Sequence, residues 1–337
     1  MRGAIDLREG AEEAPAPWAS YSLGMPQLLI GGLSERWLFK ECGAQHWRML
    51  CEDLGVVSSA VVDGEGERLY STFLRVRFES SGLLAFAEND HVTLEGALSR
   101  FRDKRFFSSQ TLRGPREQAV ARVDMATVFV SRSSNNKSLS RATPEAIARS
   151  RALEYRVTPP FSAGYRKLKV AAFEPSQPSA APGVTLLGYS FPAPGELARL
   201  DYAVCPYTDL NGVGLLYFAS YPRISDICER RFMTSLGVDA DWALVSTPVA
   251  RDVFYYGNVD SGDLVHYRLR SLSVALDADR NTSGYGGGGV VRLWSTLTRA
   301  DDSPIADLFT VKRIHGQAER IYERLAAAGV GGQEGAP

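Results

Sequence analysis

Two loops, one tyrosine and one histidine carry the chemical possibilities of this 337-residue chain. Asp209-Leu210-Asn211-Gly212-Val213-Gly214 reads as a turn that opens a helix. A helix N-terminus offers free backbone N–H groups and a positive dipole end. Glycines there let a bound molecule approach the backbone closely. Asn211 and Gly212 are therefore candidates to hold a carbonyl oxygen, or the enolate oxygen formed from it. Asp209 and Gly214 are candidate substrate contacts beside them. The plainer reading makes Asp209 or Asn211 an N-cap and the glycines packing devices. Gly31-Gly32-Leu33-Ser34 stands before an earlier helix in the same way, with Gly32 and Ser34 as candidate contacts. Tyr70 opens a strand; it either fills space and finds one hydrogen bond, or serves as a nucleophile or a donor to a carbonyl. His46 lies mid-helix beside Trp47, as a satisfied core histidine or as a general base. His91 follows an aspartate and reads as exposed.

Other motifs are missing. There is no HExxH, no P-loop and no GxSxG elbow, and the four histidines lie far apart. No metal site or resident cofactor is expected. Gly286 to Gly289 leads into a strand-like run and reads as a hairpin tip rather than a phosphate cradle.

These residues need elements to hold them. The first helix is expected from about Ser34, as N-cap, to Leu54, with Gly55 as its stop and a break possible at Gly43. Strands are expected at Tyr70 to Phe78, Val92 to Leu98, Phe106 to Leu112 and Ala121 to Val130. In the first of these Tyr70, Thr72, Leu74, Val76 and Phe78 share the apolar face, and Arg75 and Arg77 point the other way. Ser131 to Ser140 is a polar loop, and a short helix follows near Pro144 to Leu153. Pro175 to Pro182 marks a flexible loop. Runs at Val184 to Phe191 and Tyr202 to Tyr207 precede the second helix, which starts at Asn211-Gly212 and must kink or break at Pro222. Strands follow at Ala243 to Val249, Val253 to Tyr256, Leu264 to Leu276 and Val290 to Thr298.

The order of elements repeats. Asp90, Val92 and Leu94 return as Asp263, Val265 and Tyr267, at a constant spacing of 173. Phe107 to Leu112 and Leu293 to Thr298 match loosely at a longer spacing. Two units of roughly 150 residues fit the length. One long helix followed by an antiparallel sheet buries that helix most simply if the sheet wraps it. The expected fold is α+β, a double hotdog of two tandem units, each with a long central helix wrapped by an antiparallel sheet. Two separate α+β domains with helices on open sheets is the competing arrangement. The expected divisions are a disordered lead-in over 1–23, units over 24–153 and 154–325, and a tail over 326–337.

Composition bounds the rest. The chain is 45% hydrophobic and 23% charged with a net charge of −1, which argues against a nucleic-acid surface. No apolar run approaches the roughly 20 residues of a membrane span, and the acidic, proline-rich start has no signal pattern. Cys42, Cys51, Cys205 and Cys228 form no CxxC pair and read as reduced residues of a cytoplasmic protein.

Several segments together resemble a known family. They are Gly32-Leu33-Ser34-Glu35-Arg36-Trp37-Leu38, Cys42-Gly43-Ala44-Gln45-His46-Trp47, Phe73-Leu74-Arg75-Val76-Arg77 and Asp209 to Ala219. They look like the double-hotdog decarboxylating acyltransferases of polyketide biosynthesis, of the leinamycin-pathway type, over roughly residues 24–320. The resemblance implies a bifunctional enzyme. It would take a malonyl or methylmalonyl group from coenzyme A, decarboxylate it, and load the shorter acyl group onto an acyl carrier protein. It also implies a reactive tyrosine, for which Tyr70 is the candidate. The alternatives are a hotdog thioesterase or dehydratase, with His46 and Asp209 as its acid–base groups, and a non-catalytic carrier-binding protein.

Overall fold

Ser34 caps the first helix as its sequence predicts: its Oγ accepts the Trp37 N–H at 3.2 Å. In the computed structural model this helix, α1, runs Glu35–Leu54 and stops at Gly55, whose φ of +64° suits glycine. The structure describes residues 19–30, 32–101, 105–116, 118–155, 161, 164–165, 168–169, 183–238, 242–277, 288–315, 318–330 and 332–333. Residues 1–18 of the expected lead-in, the proline-rich loop and most of the glycine-rich insert lie outside them. Ala19–Ser22, inside the expected lead-in, is a strand, β1.

Gly43 does not break α1. A Cβ there would stand 2.5 Å from Phe218 Cε1, so the missing side chain admits an aromatic ring against the helix. The second helix, α2, runs Ser220–Ser235. It does not start at Asn211-Gly212. Pro222 falls in its first turn, where a missing N–H costs nothing, so no kink follows. A further helix, α3, Ala318–Ala327, was not expected from the sequence, nor was the helical turn Trp242–Val245, which stands where a strand from Ala243 was expected. No helix among the described residues is long and apolar enough to cross a membrane.

One large sheet carries most of the rest; it is antiparallel except for the short strands Leu153–Tyr155 and Gly332–Gln333, and two-stranded pairs at Leu28–Leu29 with Gly32–Leu33 and Val184–Leu186 with Tyr189–Phe191 stand apart from it. Its further strands are β2 Tyr70–Ser80, β3 His91–Phe101, β4 Arg105–Arg113, β5 Ala119–Arg132, β6 Leu139–Arg141, β7 Ala198–Ala203, β8 Ser246–Tyr255, β9 Leu264–Leu276, β10 Gly289–Arg299 and β11 Pro304–Ile314. The order is β1-β3-β4-β5-β2-β8-β11-β10-β9-β7, with β6 paired to β5. The short helix expected near residue 144 is a single 3-10 stretch, Glu145–Arg149. The two strands expected between 243 and 256 are one, β8, with a bulge between Pro248 and Ala250. The glycine-rich run joins β9 and β10, which pair directly, in keeping with a hairpin connection.

The two halves of the sheet meet where β2 pairs with β8, Val76 opposite Val253. The spacing of 173 recurs in the contacts. Val92 on β3 pairs with Tyr21 on β1, and Val265 on β9 pairs with Tyr202 on β7. The Asp90 carbonyl accepts the Leu23 N–H at 2.8 Å, and the Asp263 carbonyl accepts the Val204 N–H at 3.2 Å. The Asp90 carboxylate accepts the Ala87 N–H at 2.8 Å, and that of Asp263 accepts the Asp260 N–H at 2.9 Å. The main core runs through both halves, including Leu38, Phe39 and Cys42 of α1 and Ile224, Cys228 and Met233 of α2. Burial of these chains, at about 25 cal/mol per Å² of apolar surface, is the dominant force that holds the helices against the sheet.

Candidate active site

The site begins with a bulge. The β2 register shifts between Phe73 and Arg75, so the strand changes face there. Phe73 lies opposite Thr127, whose Oγ1 bonds His46 on α1, so Phe73 faces the helix. Tyr70 lies opposite Val130 and packs with Leu74, Val128 and Phe161 on the other face. Tyr70 therefore does not share a face with Val76 and Phe78. The bulge also brings Arg75 and Arg77 to Tyr70's face, but both are held by Asp252, Arg75 through two bonds at 2.7 and 2.5 Å.

A cavity of about 530 Å³ opens at the seam between the halves and wraps the end of β2. Gly43, His46, Tyr70 and Phe73 line it from the first half. Asn211, Gly212, Tyr217, Phe218 and Asn258 line it from the second. Four of the eight sequence candidates, Tyr70, Asn211, Gly212 and His46, thus meet at one cavity. Gly32, Ser34, Asp209 and Gly214 are not among its lining residues. Gly32 is pressed against the backbone of Leu83 and Leu84, where a Cβ would clash at 2.2 Å. Ser34 is the N-cap. Asp209 is 0% exposed, accepts the Cys205 N–H and the Tyr202 hydroxyl, and pairs with Arg223. Gly214 turns the chain with φ +79°.

The loop has spent most of its N–H groups. Asn211 Oδ1 accepts from Val213 and Leu215 at 3.1 and 3.0 Å, and the Gly214 N–H bonds the Asn211 carbonyl. Asn258 Oδ1 accepts from Leu216 at 2.8 Å. An asparagine that bonds its own loop makes a turn, not a helix start. Among the described residues of 211–217, the Gly212 N–H alone is left without an acceptor, and Gly212 lines the cavity. The first half clamps this loop. Arg132 donates to the Val213 carbonyl at 2.8 Å and to Asn136 Oδ1 at 3.1 Å, and Asn136 Nδ2 donates to the Gly214 carbonyl at 2.6 Å. Arg132 also lies 5.4 Å over the Tyr70 ring. It thus ties Tyr70 to the Gly212 loop.

Six tyrosines line the cavity: Tyr70, Tyr165, Tyr217, Tyr221, Tyr255 and Tyr256. Four are committed. Tyr165 donates to the Tyr255 carbonyl, Tyr221 to that of Gly257, Tyr255 to that of Phe218, and Tyr256 to Asp307 Oδ2. Tyr70 and Tyr217 have no hydrogen-bond partner among the described residues. Burial pushes the Tyr217 hydroxyl up to about 12. Tyr207, at 95% exposed, stands outside the site.

His46 is locked. Its Nδ1 meets Ser108 Oγ at 2.7 Å and its Nε2 meets Thr127 Oγ1 at 2.8 Å. Burial pulls its pKa from 6.5 down to about 3, so it stays neutral. As pH falls the unfolded chain takes this proton first. His46 thus contributes stability that is fully present above pH 6.5 and lost as pH falls toward 3. The expected slope is about 1.4 kcal/mol per pH unit across that window. Urea midpoints at several pH values check this, and the same slope in His46→Gln would refute the assignment.

No Asp, Glu or Cys appears among the described lining residues, whereas Arg68, Lys137, Arg141, Lys169 and Arg299 do. Sequence reasoning missed this set. Its members come from strands and loops remote in sequence, and no local pattern joins them.

Phe73 meets His46 from mid-α1, Phe218 from the approach to α2, and Tyr255. Arg251, across the seam, bonds Asp226 from mid-α2 and Glu35 from the start of α1, at 2.8 to 3.1 Å. Lys312 bonds Asp226 and Glu229 beside them. Burial works against the Arg251 charge, but Asp226 and Glu35 outweigh it and hold the guanidinium firmly ionised.

Solved structures share this fold. A putative oleoyl thioesterase from Lactobacillus plantarum matches with a TM-score of 0.59 at 10% identity, over 91% of this chain and 97% of its own. The 12:0-ACP thioesterase from Umbellularia californica matches at 0.55 and 9% identity, over 90% and 100%. An acyl-ACP thioesterase from Bacteroides thetaiotaomicron matches at 0.52 and 10%, over 88% and 97%. The chain has the hotdog fold. No family model matches it, and no curated protein does.

Proposed function

We propose that this protein is an enzyme acting on acyl thioesters of coenzyme A or an acyl carrier protein. Within that class we propose the decarboxylating acyltransferase, working on a malonyl or methylmalonyl thioester. We also read the chain as two tandem hotdog units, near 24–153 and 154–325, a division that the paired contacts of Asp90 and Asp263 support. The cavity lining carries the functional reading: two uncommitted phenols, cations, and no described carboxylate, thiol or free imidazole. Hydrolysis needs a base to activate water. Loss of carbon dioxide from a malonyl group does not, because the carbonyl accepts the electrons of the breaking bond and donors steady its oxygen, and in the transfer step the phenolic proton passes to the leaving sulfur.

The proposed sequence uses Tyr70 as acyl acceptor. Its oxygen attacks the thioester carbonyl, the C–S bond breaks, and coenzyme A leaves as a thiol carrying the phenolic proton. The C–C bond to the carboxylate then breaks, carbon dioxide departs, and the electron pair forms an enolate whose oxygen meets the Gly212 N–H. Water protonates its carbon, and the hydroxide left behind joins the carbon dioxide as bicarbonate. The carrier thiol attacks the tyrosyl ester, takes the acyl group and returns a proton to the phenol. Tyr217 is the alternative acceptor.

The structural neighbours named above are described as thioesterases, which favours a second reading, hydrolysis. The pair expected to serve it fits poorly, since Asp209 is buried in its own bonds and His46 is locked between two hydroxyls. Mass spectrometry of a carrier protein after incubation with malonyl- and methylmalonyl-coenzyme A decides. Carbon dioxide release with carrier acylation supports transfer. Free acid and free thiol would instead mean a thioesterase, and no turnover would leave a carrier-binding protein.

Gly212 has its own test. A Cβ there meets no atom within 4 Å, so Gly212→Val should fold normally. It would crowd the substrate oxygen, and kcat/KM is expected to fall roughly tenfold to a thousandfold. Unchanged turnover would take this N–H out of the reaction.

A further inference from the structure

Arg68 and Tyr70 stand two residues apart, so they share one face of the chain as it enters β2. Leu69 between them points the other way, 1% exposed, into the core that Leu50 and Leu54 of α1 help to build. A short hairpin fixes the backbone here: Val62 bridges Arg68, and the Leu69 N–H bonds the Val61 carbonyl at 2.9 Å. Arg132 joins the same face from β5, two residues beyond Val130, which lies opposite Tyr70. Each guanidinium carbon lies 5.4 Å from the centre of the Tyr70 ring. Their commitments differ. Arg132 holds Val213 and Asn136. Arg68 is exposed, lines the cavity, and makes no side-chain hydrogen bond or ion pair among the described residues. Asp63, Glu65 and Glu67 share its hairpin without pairing with it; Asp63 instead accepts the Glu65 and Glu67 N–H groups. Other cations of the lining are occupied. Lys137 bonds Asp263, Arg299 donates to the Asn258 carbonyl and to Ser303, and Lys169 is engaged. Arg141 lies opposite Val130 in turn, two strand spacings from Tyr70, about 10 Å.

We infer that Arg68 is a carboxylate subsite: it reads the free carboxylate of a malonyl-type acyl group as that group reaches Tyr70. The inference rests on reading the cavity as an acyl-thioester site with Tyr70 as acceptor. One methylene separates that carboxylate from the carbonyl carbon that Tyr70 attacks, so an acyl group on the phenol carries its charge beside Arg68. A single planar guanidinium matches a single carboxylate, which it can grip through both oxygens. No carboxylate among the described lining residues competes for it. An acyl group that ends in a methyl offers Arg68 nothing to hold. Arg68 therefore selects the donor. It exchanges no proton or electron pair, and because it is exposed the pair it makes is loose enough for the carboxylate to leave as carbon dioxide.

Calorimetric titration of the full chain with unreactive coenzyme A analogues, in which a methylene replaces the thioester sulfur, separates the charge from the chemistry. The wild type is expected to bind the malonyl analogue more tightly than the neutral butyryl analogue of similar length, by roughly fivefold to fiftyfold. Arg68→Gln is expected to bring the two affinities together, and Arg68→Lys to keep part of the difference. Equal binding of the two analogues by the wild type, or a preference that Arg68→Gln leaves intact, would overturn the subsite. Loss of the preference in Arg141→Gln alone would move the carboxylate to Arg141 and overturn it equally. A malonyl preference that Arg68→Gln abolishes, in a protein that releases no carbon dioxide and acylates no carrier, would sink the decarboxylating reading and leave the subsite standing.

Discussion

Tyr70→Phe is expected to stop delivery of the acyl group to the carrier, with kcat/KM down by about a thousandfold or more, as for loss of a covalent nucleophile. The protein should stay folded. The ring keeps its packing against Leu74, Val128 and Phe161, and among the described residues the hydroxyl makes no hydrogen bond whose loss would strand a partner. Binding of the coenzyme A thioester should persist, since the cations and the Gly212 loop are untouched. Peptide mapping of the wild type, incubated with donor and no carrier, should place the acyl mass on the peptide that holds Tyr70. An acyl mass on the Tyr217 peptide, with full activity in Tyr70→Phe, would move the chemistry to the other uncommitted phenol. Retained activity in both single variants would end the covalent scheme.

The sequence and the fold agree best where the signal is local. Ser34, Glu35 and Gly55 marked both ends of α1, because caps and stops act within a few residues. The register of β3 and β9 was legible from Asp90 and Asp263, whose turns use the same bonds. The β2 faces were not, because a bulge inserts one backbone residue without a side-chain signature. It moved Tyr70 off the face that period two implied. The start of α2 was misplaced because an Asp-Leu-Asn-Gly run suits a cap and a turn equally, and here Asn211 bonds its own loop. Strand β11 went unseen because nearly all of it is buried on both faces, so it lacks the alternation of a half-exposed strand. Of the candidate site, Tyr70, Asn211, Gly212 and His46 were legible by residue type. Arg132, Asn136 and the cation set were not, since only tertiary structure brings them there.

Arg251→Ala is expected to destabilise the protein by about 3–5 kcal/mol, the usual range for breaking a buried ion pair from one side. Glu35 would lose its two bonds to the guanidinium and stay buried with its charge. Asp226 would keep Lys312, so most of the loss should trace to Glu35. Burial already pushes the Glu35 carboxyl up, with Arg251 pulling against it, and removing Arg251 should favour its protonated form. Adding Glu35→Gln to the Arg251 variant should therefore recover part of the loss. Urea unfolding of the two singles and the double measures the coupling. Additive losses would mean that the pair does not act as a unit.

The charges around Arg251 have a mechanical consequence. Arg251 stands on β8 beside the seam, and it holds Glu35 at the head of α1 and Asp226 within α2. One guanidinium thus fastens both helices to the middle of the sheet. The two halves should therefore open together on unfolding, as one cooperative unit and not as two.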